Sequence, residues 1–205
     1  MLNDKDICTF FDECARNCFM REFSSEEEGK LHRLFEKWNI MPGQAILEPG
    51  CGSGRLSERL AESVGPDGMV YAFDISEEMI RNAKDRNPPE TIRFVCGSAD
   101  RIDIEDNYFD KAICFNVFPH FSHPLRMLSE INRVLKTGGD LWINHLKERN
   151  VLNELHKNAS STVIANDIPD DYSMCQLLER SGYEVIRMND NNGKGYSFHA
   201  VKSER

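Results

Sequence analysis

The chain has no run approaching the roughly 20 consecutive apolar residues that a membrane-spanning helix needs. Its opening, MLNDKDICTFF, lacks the basic start and apolar stretch of a secretory leader. A cytoplasmic protein is the expectation. There is also no surplus of basic charge: 25 Lys and Arg stand against 34 Asp and Glu, a formal net charge of −9. No global field therefore draws phosphate backbones or anionic lipid, which argues against nucleic acid and membrane as partners. Cysteine spacing of the metal-binding kind is missing as well. Cys8, Cys14, Cys18, Cys51, Cys96, Cys114 and Cys175 are odd in number and form no C-x-x-C pair. At least three of them lie in apolar strand-like runs, where a thiol packs as a small hydrophobe. Reduced thiols and no metal are expected, the alternative being that Cys14 and Cys18, four apart on one helical face, hold a soft metal or metalloid. Repeats, low-complexity tracts and interdomain linkers are lacking too, so the 205 residues read as one domain.

What is present is an alternation. From Asp4 to about Met20 and from Ser24 to Asn39 the pattern is helical, and SSEEEGKLHRLF has the Ser cap and acidic first turn of a helix start. After MPG, short apolar runs alternate with amphipathic helical stretches: AILEPG, RLSERLAESV, MVYAFDI, SEEMIRNAKDR, IRFVCG, DKAICFNVF, HPLRMLSEINRVLK and DLWINHL. This is the βαβα order of a parallel sheet with helices on both faces. The end differs: a helix at DYSMCQLLERSG precedes YEVIRMND and YSFHAVK, joined by a polar NNGKG turn, which predicts an antiparallel hairpin.

ILEPGCGSGRL, residues 46–56, places three alternate glycines between a strand and a helix, the setting in which backbone N–H groups cradle an anion. The spacing is G-x-G-x-G. The dinucleotide fingerprint is G-x-G-x-x-G, and no G-K-[ST] follows, so neither that reading nor a P-loop fits. Glu48 beside the loop disfavours a pyrophosphate and suits a ligand that carries positive charge.

At these residues the chain resembles the class I S-adenosylmethionine-dependent methyltransferases, from about Phe10 to Lys202. ILEPGCGSG is similar to the family's first motif, VYAFDIS to its second, and FDKAICFNVF with PLRMLSEINRVLKTGGDLWIN to its later strands and RVLKPGG-type turn. FFDECA is similar to the opening helix of many small-molecule members. The resemblance implies a Rossmann-like, seven-stranded, mostly parallel α/β sheet with residues 1–40 as a helical lid, and S-adenosyl-L-methionine as cofactor. It implies a cofactor set of Glu48, Gly50, Cys51, Gly52, Asp74, Ile75, Met79, Ser98, Ala99, Asp100 and Asn116. The residue chemistry agrees with it in part. Asp74 ends the second strand, where a carboxylate can accept both ribose hydroxyls; the plain alternative is a helix N-cap, a task that Ser76 can perform instead. Gly50 and Gly52 let the backbone approach a ligand, or serve turn geometry alone. Met79 faces adenine or packs in the core. Where family members often have an acidic residue after the third strand, CGSAD offers Ser98, with Asp100 two residues on.

Methyl transfer from a sulfonium is an in-line displacement that mainly needs alignment and exclusion of water. The N/D-P-P-Y/F motif of amino-methyltransferases is absent, for the matching position reads NVFP, and NPPE at 87–90 precedes the third strand as a plain loop. In NHLKERNVLNELHKN, His145 ends the fifth strand. A helix there places Arg149, Asn153 and His156 on one face and Val151, Leu152 and Leu155 on the other. That polar stripe is either a solvated face or a site for a polar or anionic acceptor, with Arg149 and Asn153 binding it and His145, His156 or His120 of FPHF as base. A small-molecule acceptor is the leading expectation. Methylation of a protein, thiol or metalloid is the second, and a non-catalytic cofactor-binding regulator the third.

Overall fold

The computed structural model describes residues 3–17, 22–158, 167–191 and 195–204. Cys18 of the candidate soft-metal pair and most of the NNGKG turn lie outside them. Seven strands form one sheet in the order β3-β2-β1-β4-β5-β7-β6. β1 (Ala45–Pro49), β2 (Met69–Asp74), β3 (Ile92–Cys96), β4 (Phe109–Phe115) and β5 (Leu135–His145) run parallel. β7 (Gly195–Lys202) is antiparallel to both β5 and β6 (Tyr183–Asn191), as the two terminal runs predict.

Each strand is paired on both sides except β3 and β6, and the central ones read as near-continuous apolar runs because helices cover both faces. One face carries α2 (Ser25–Trp38), α3 (Arg55–Val64) and α4 (Glu77–Lys84), whose Leu34, Trp38, Leu56, Leu60 and Ile80 pack against Ile46, Val70 and Ile113 of the sheet. The other carries α5 (Pro124–Val134) and α7 (Asp171–Arg180), with Met127, Leu128, Ile131, Met174 and Leu178 against Leu47, Ala112 and Phe198. β5 begins earlier than its apolar run suggests: TGG of RVLKTGG is part of the strand, accommodated by a register shift between Phe109 and Lys111.

The first two helices do different jobs. α2 starts with the Ser24–Glu27 capping box and sends Trp38, fully buried, into the core, where its Nε1 donates to Asn144 Oδ1 at 2.8 Å. It is therefore a layer of the α/β sandwich. Within the residues 1–40 expected as a lid, α1 (Asp4–Arg16) is the described helix that lines the cleft at the C-terminal edge of the sheet. Between β1 and β4 the chain order reverses, and there the strand ends leave a crevice.

Candidate active site

The crevice is floored by the loop after β1. Gly50, Gly52 and Gly54 have φ of 68°, 54° and 79°, a region that favours glycine. A Cβ at Gly50 would lie 2.1 Å from Val117 Cγ2, so this glycine admits the loop after β4; one at Gly54 would lie 2.8 Å from Phe94, which seats α3 on the sheet. Over Gly52 a Cβ would meet nothing within 4 Å, because the space above it is the cleft. All three glycines thus serve the turn, Gly50 and Gly54 also allow a close approach, and Gly52 opens onto the cleft.

Asp74, 8% exposed, accepts from Gly52 N and from Ser76 N, each at 2.9 Å. Ser76, and not Asp74, caps α4: its hydroxyl accepts from Met79 N at 3.0 Å. The Asp74 carboxylate is left facing the cleft with lone pairs to spare, its pKa raised by burial although backbone N–H groups pull it down. Glu48 is more extreme. It is 2% exposed and its Oε2 accepts from Ser57 Oγ at 2.6 Å. Burial pushes its pKa up to about 8, with Asp74 adding to the rise and Ser57 and Arg55 opposing it. Arg55, which also lines the cleft, is the cation beside this buried carboxyl, and its field does not offset the burial.

Beyond Asp74 the cleft is lined by Ile75, Met79, Gly97, Ser98, Ala99 and Asp100. Ser98 Oγ donates to Asp4 Oδ2 at 3.3 Å and accepts from Asp100 N at the same distance, so at this position a hydroxyl is tied to the lid. Asp4, Ile7 and Phe11 of α1 form the cover. Asp4 Oδ1 accepts from Ser122 Oγ at 2.6 Å, and Asp12 Oδ1 from Ser76 Oγ at 2.6 Å. These lid residues escaped the sequence reading. The signal for them was the resemblance of FFDECA to an opening helix, which named the element but not the face it turns inward.

On the far side lie Asn116 and His120. Asn116 has φ 54°, and its Oδ1 accepts from Leu146 N at 3.0 Å, pinning the end of β4 to the end of β5. His120 ends a single 3-10 turn, Phe118–His120, with Phe11 edge-on at 5.0 Å. Behind it stands His156, ring centroids 5.4 Å apart, and His145 interacts electrostatically with both. Burial, seconded by the neighbouring imidazoles, lowers the pKa of His120 to about 4 and of His145 to about 3. The three candidate bases lie together. The rest of the stripe is placed apart from them. Along α6 (Arg149–Asn158) the polar face turns inward, while Val151 and Leu155 are 42% and 46% exposed. Arg149 is held by Asp171 and Asp190, and Asn153 exchanges two hydrogen bonds with the Ile168 backbone. Neither lines the cleft. Their side chains tie α6 to the segment before α7, so the groups expected to bind substrate are engaged within the chain in this structure.

These features fit S-adenosylmethionine: a buried carboxyl for its ammonium group, open space over Gly52 for the methionine end, a carboxylate at the strand edge for ribose hydroxyls, and Met79 beyond it for the adenine side. Comparison with known proteins agrees. A model of the methyltransferase domain family matches residues 47–143. A ubiquinone/menaquinone biosynthesis C-methyltransferase UbiE of Cupriavidus necator is 32% identical over 213 residues, covering 89% of this chain and 86% of that protein. The corresponding protein of Cupriavidus metallidurans is 34% identical over 122 residues, 56% of this chain and 50% of its own length. Among solved structures, a SAM-dependent methyltransferase from Aquifex aeolicus superposes with a TM-score of 0.70 at 22% identity, covering 98% of this chain and all of that one (100%). The [4+2]-cyclase SpnF superposes with a TM-score of 0.74 at 18% identity, over 97% of this chain and 93% of its own. These likenesses at low identity show the fold, and a cyclase among them illustrates that the fold alone does not name the reaction. The chain belongs to the class I S-adenosylmethionine-dependent methyltransferases and is an enzyme of that kind, with S-adenosylmethionine as its cofactor.

Proposed function

We propose that the methyl acceptor is a small, uncharged organic molecule that enters beside His120, and that His120 takes the proton the acceptor loses. The observation that carries this reading is the imidazole cluster at the acceptor end of the cleft. His120 lines the cleft and His145 and His156 stand behind it, buried. His145 Nε2 is buried behind His120 without a hydrogen-bond partner among the described residues. His120 and His145, kept neutral by burial, suit a hydroxyl or carbonyl. They give an anion no charge to pair with.

The cofactor supplies an electrophilic methyl group on sulfur. The chain's own residues hold its amino acid and ribose ends at Glu48 and Asp74, align the acceptor at His120, and keep water out with Ile7 and Phe11. The relatives named as quinone-biosynthesis C-methyltransferases support a small-molecule acceptor and carbon as one accepting atom. Among the residues that line the cleft, Cys51 is the one cysteine, buried at its base.

The test is the destination of the label. With methyl-labelled cofactor and the small-molecule and protein fractions of a cell extract offered separately, label should appear in a small compound distinct from the cofactor, and S-adenosylhomocysteine should form with the small-molecule fraction; transfer to the protein fraction alone would overturn the reading. With an acceptor in hand and cofactor saturating, His120→Ala should lower turnover by about 100-fold or more, the size of a lost general base. The base must be neutral to act, so the rate of the unmodified enzyme should fall only as pH drops through about 4. An acid limb near the ordinary imidazole value would place the base elsewhere.

A further inference from the structure

Two thiols from distant parts of the chain meet at the rim of the cofactor cleft, and methyl transfer uses neither. Cys8 is on α1, and its Sγ donates to the Ile75 carbonyl at 3.4 Å. Cys96, the last residue of β3, donates to the same oxygen at 3.7 Å. The two sulfurs are therefore closer together than the sum of those distances. Cys96 is exposed and Cys8 partly so, and reagents in solution reach both. Their neighbours are cleft residues: Ile7 precedes Cys8, Gly97 follows Cys96, and Ile75 supplies the shared carbonyl. A bond between them would cross from the lid to the sheet at the adenosine end of the cleft.

We propose that Cys8 and Cys96 form a redox modification site, at which thiol–disulfide exchange with a low-molecular-weight disulfide such as oxidised glutathione staples α1 over the bound cofactor. The more exposed Cys96 thiolate attacks one sulfur of the small disulfide, and the departing thiolate takes up a proton. The Cys8 thiolate then attacks the mixed disulfide at Cys96 and displaces the second thiolate. Two protein thiols are oxidised and one small disulfide is reduced to two thiols. Reaching a bond of about 2.05 Å requires the side chains to rotate off the shared carbonyl and α1 to settle slightly.

The surroundings set the rate. Burial raises the pKa of both thiols; for Cys8, Asp12 of its own helix, Cys96 and Asp74 add to it, and for Cys96, Glu77 of α4, Asp74 and Asp12 add while Lys84 opposes. Exchange is accordingly slow near neutrality and quickens as pH rises, since the thiolate is the nucleophile.

The experiment uses the whole reduced protein loaded with S-adenosylhomocysteine and treated with oxidised glutathione. The expected product has lost two hydrogens and yields a linked Cys8–Cys96 peptide. Cys8→Ser and Cys96→Ser each abolish the link, whereas Cys14→Ser and Cys175→Ser keep it. Dissociation of S-adenosylhomocysteine from the oxidised protein slows by about 10-fold or more, because lid opening gates release, and a dithiol reductant restores it. Glutathione retained on single cysteines, a link between another pair, or a linked protein that releases its ligand at the original rate would each overturn the proposal. The link is read by mass alone, so its failure is distinct from any failure to identify the acceptor.

Discussion

Burial governs the chemistry of Glu48. It pushes the pKa of the carboxyl, which lies beside Asp74, up to about 8. A folded-state pKa raised above the unfolded value contributes stability that is present at low pH and is lost as pH rises through the folded value. The empty protein should therefore soften between pH values near the ordinary carboxyl range and about 8. Glu48→Gln keeps an acceptor for Ser57 and removes that loss, so its melting temperature at alkaline pH should exceed that of the unmodified protein by several degrees, at roughly 2–4 °C per kcal/mol for a chain of this size. The same change should weaken cofactor binding by about 10-fold or more, the loss of a charge-assisted contact. Calorimetry in buffers of different ionisation enthalpy should also show proton release when cofactor binds the unmodified protein near neutral pH. Binding with no proton release would mean that Glu48 does not meet the ammonium group.

At the scale of elements, α1 matters because it is fastened by hydrogen bonds more than by burial. Ile7 and Ala15 are its buried apolar residues. Asp4 takes hydroxyls from Ser98 and Ser122, Asp12 takes the Ser76 hydroxyl and the Glu78 N–H, and Asn82 donates to Ala15 O. Hydrogen bonds of net worth near 1 kcal/mol each can open without unfolding the domain. The double change Asp4→Ala with Asp12→Ala should raise the dissociation rate of S-adenosylhomocysteine by about 10-fold, since affinity differences within one site fall mostly on that rate, with a small change in melting temperature. An unchanged dissociation rate in stopped-flow dilution would show that the helix does not gate release. α6 makes the opposite point. Its polar face is turned inward because Arg149, Asn153 and His156 find partners or neighbours there, and its Val151 and Leu155 are left outside. The sequence pattern shows two faces of a helix and cannot say which of them is buried when polar residues carry their own partners.

For the whole molecule, the antiparallel β7 joins an otherwise parallel sheet, and one buried chain of polar groups fixes the junction. Trp38 Nε1 of α2 donates to Asn144 Oδ1 of β5 at 2.8 Å, and Asn144 Nδ2 donates to Ser197 Oγ of β7 at 2.7 Å. Asn144 is fully buried. Asn144→Ala leaves an indole N–H and a hydroxyl without partners, at a cost of about 2–4 kcal/mol. A fall in melting temperature of about 5–15 °C is the expected outcome. A fall of a degree or less would mean that water satisfies both groups.

The sheet's class, the strand and helix order, the Gly-rich loop, Glu48 and Asp74 were legible in the residues themselves. Alternating periodicities, glycines at the strand-to-helix turn and a carboxylate ending a strand are local properties, and neighbouring residues along the chain express them wherever the rest of the molecule lies. The contacts of α1, the inward turn of α6 and the neutral state of His120 and His145 were not legible. Asp4 meets Ser98 and Ser122 across separations of 94 and 118 residues, and no pattern in a window of the sequence pairs such groups. Arg149 reads as a substrate ligand until Asp171 and Asp190 are brought to it. A histidine's charge depends on how deeply the fold buries it and on which like groups share that burial, so His120, His145 and His156 acquired their chemistry from the tertiary structure alone.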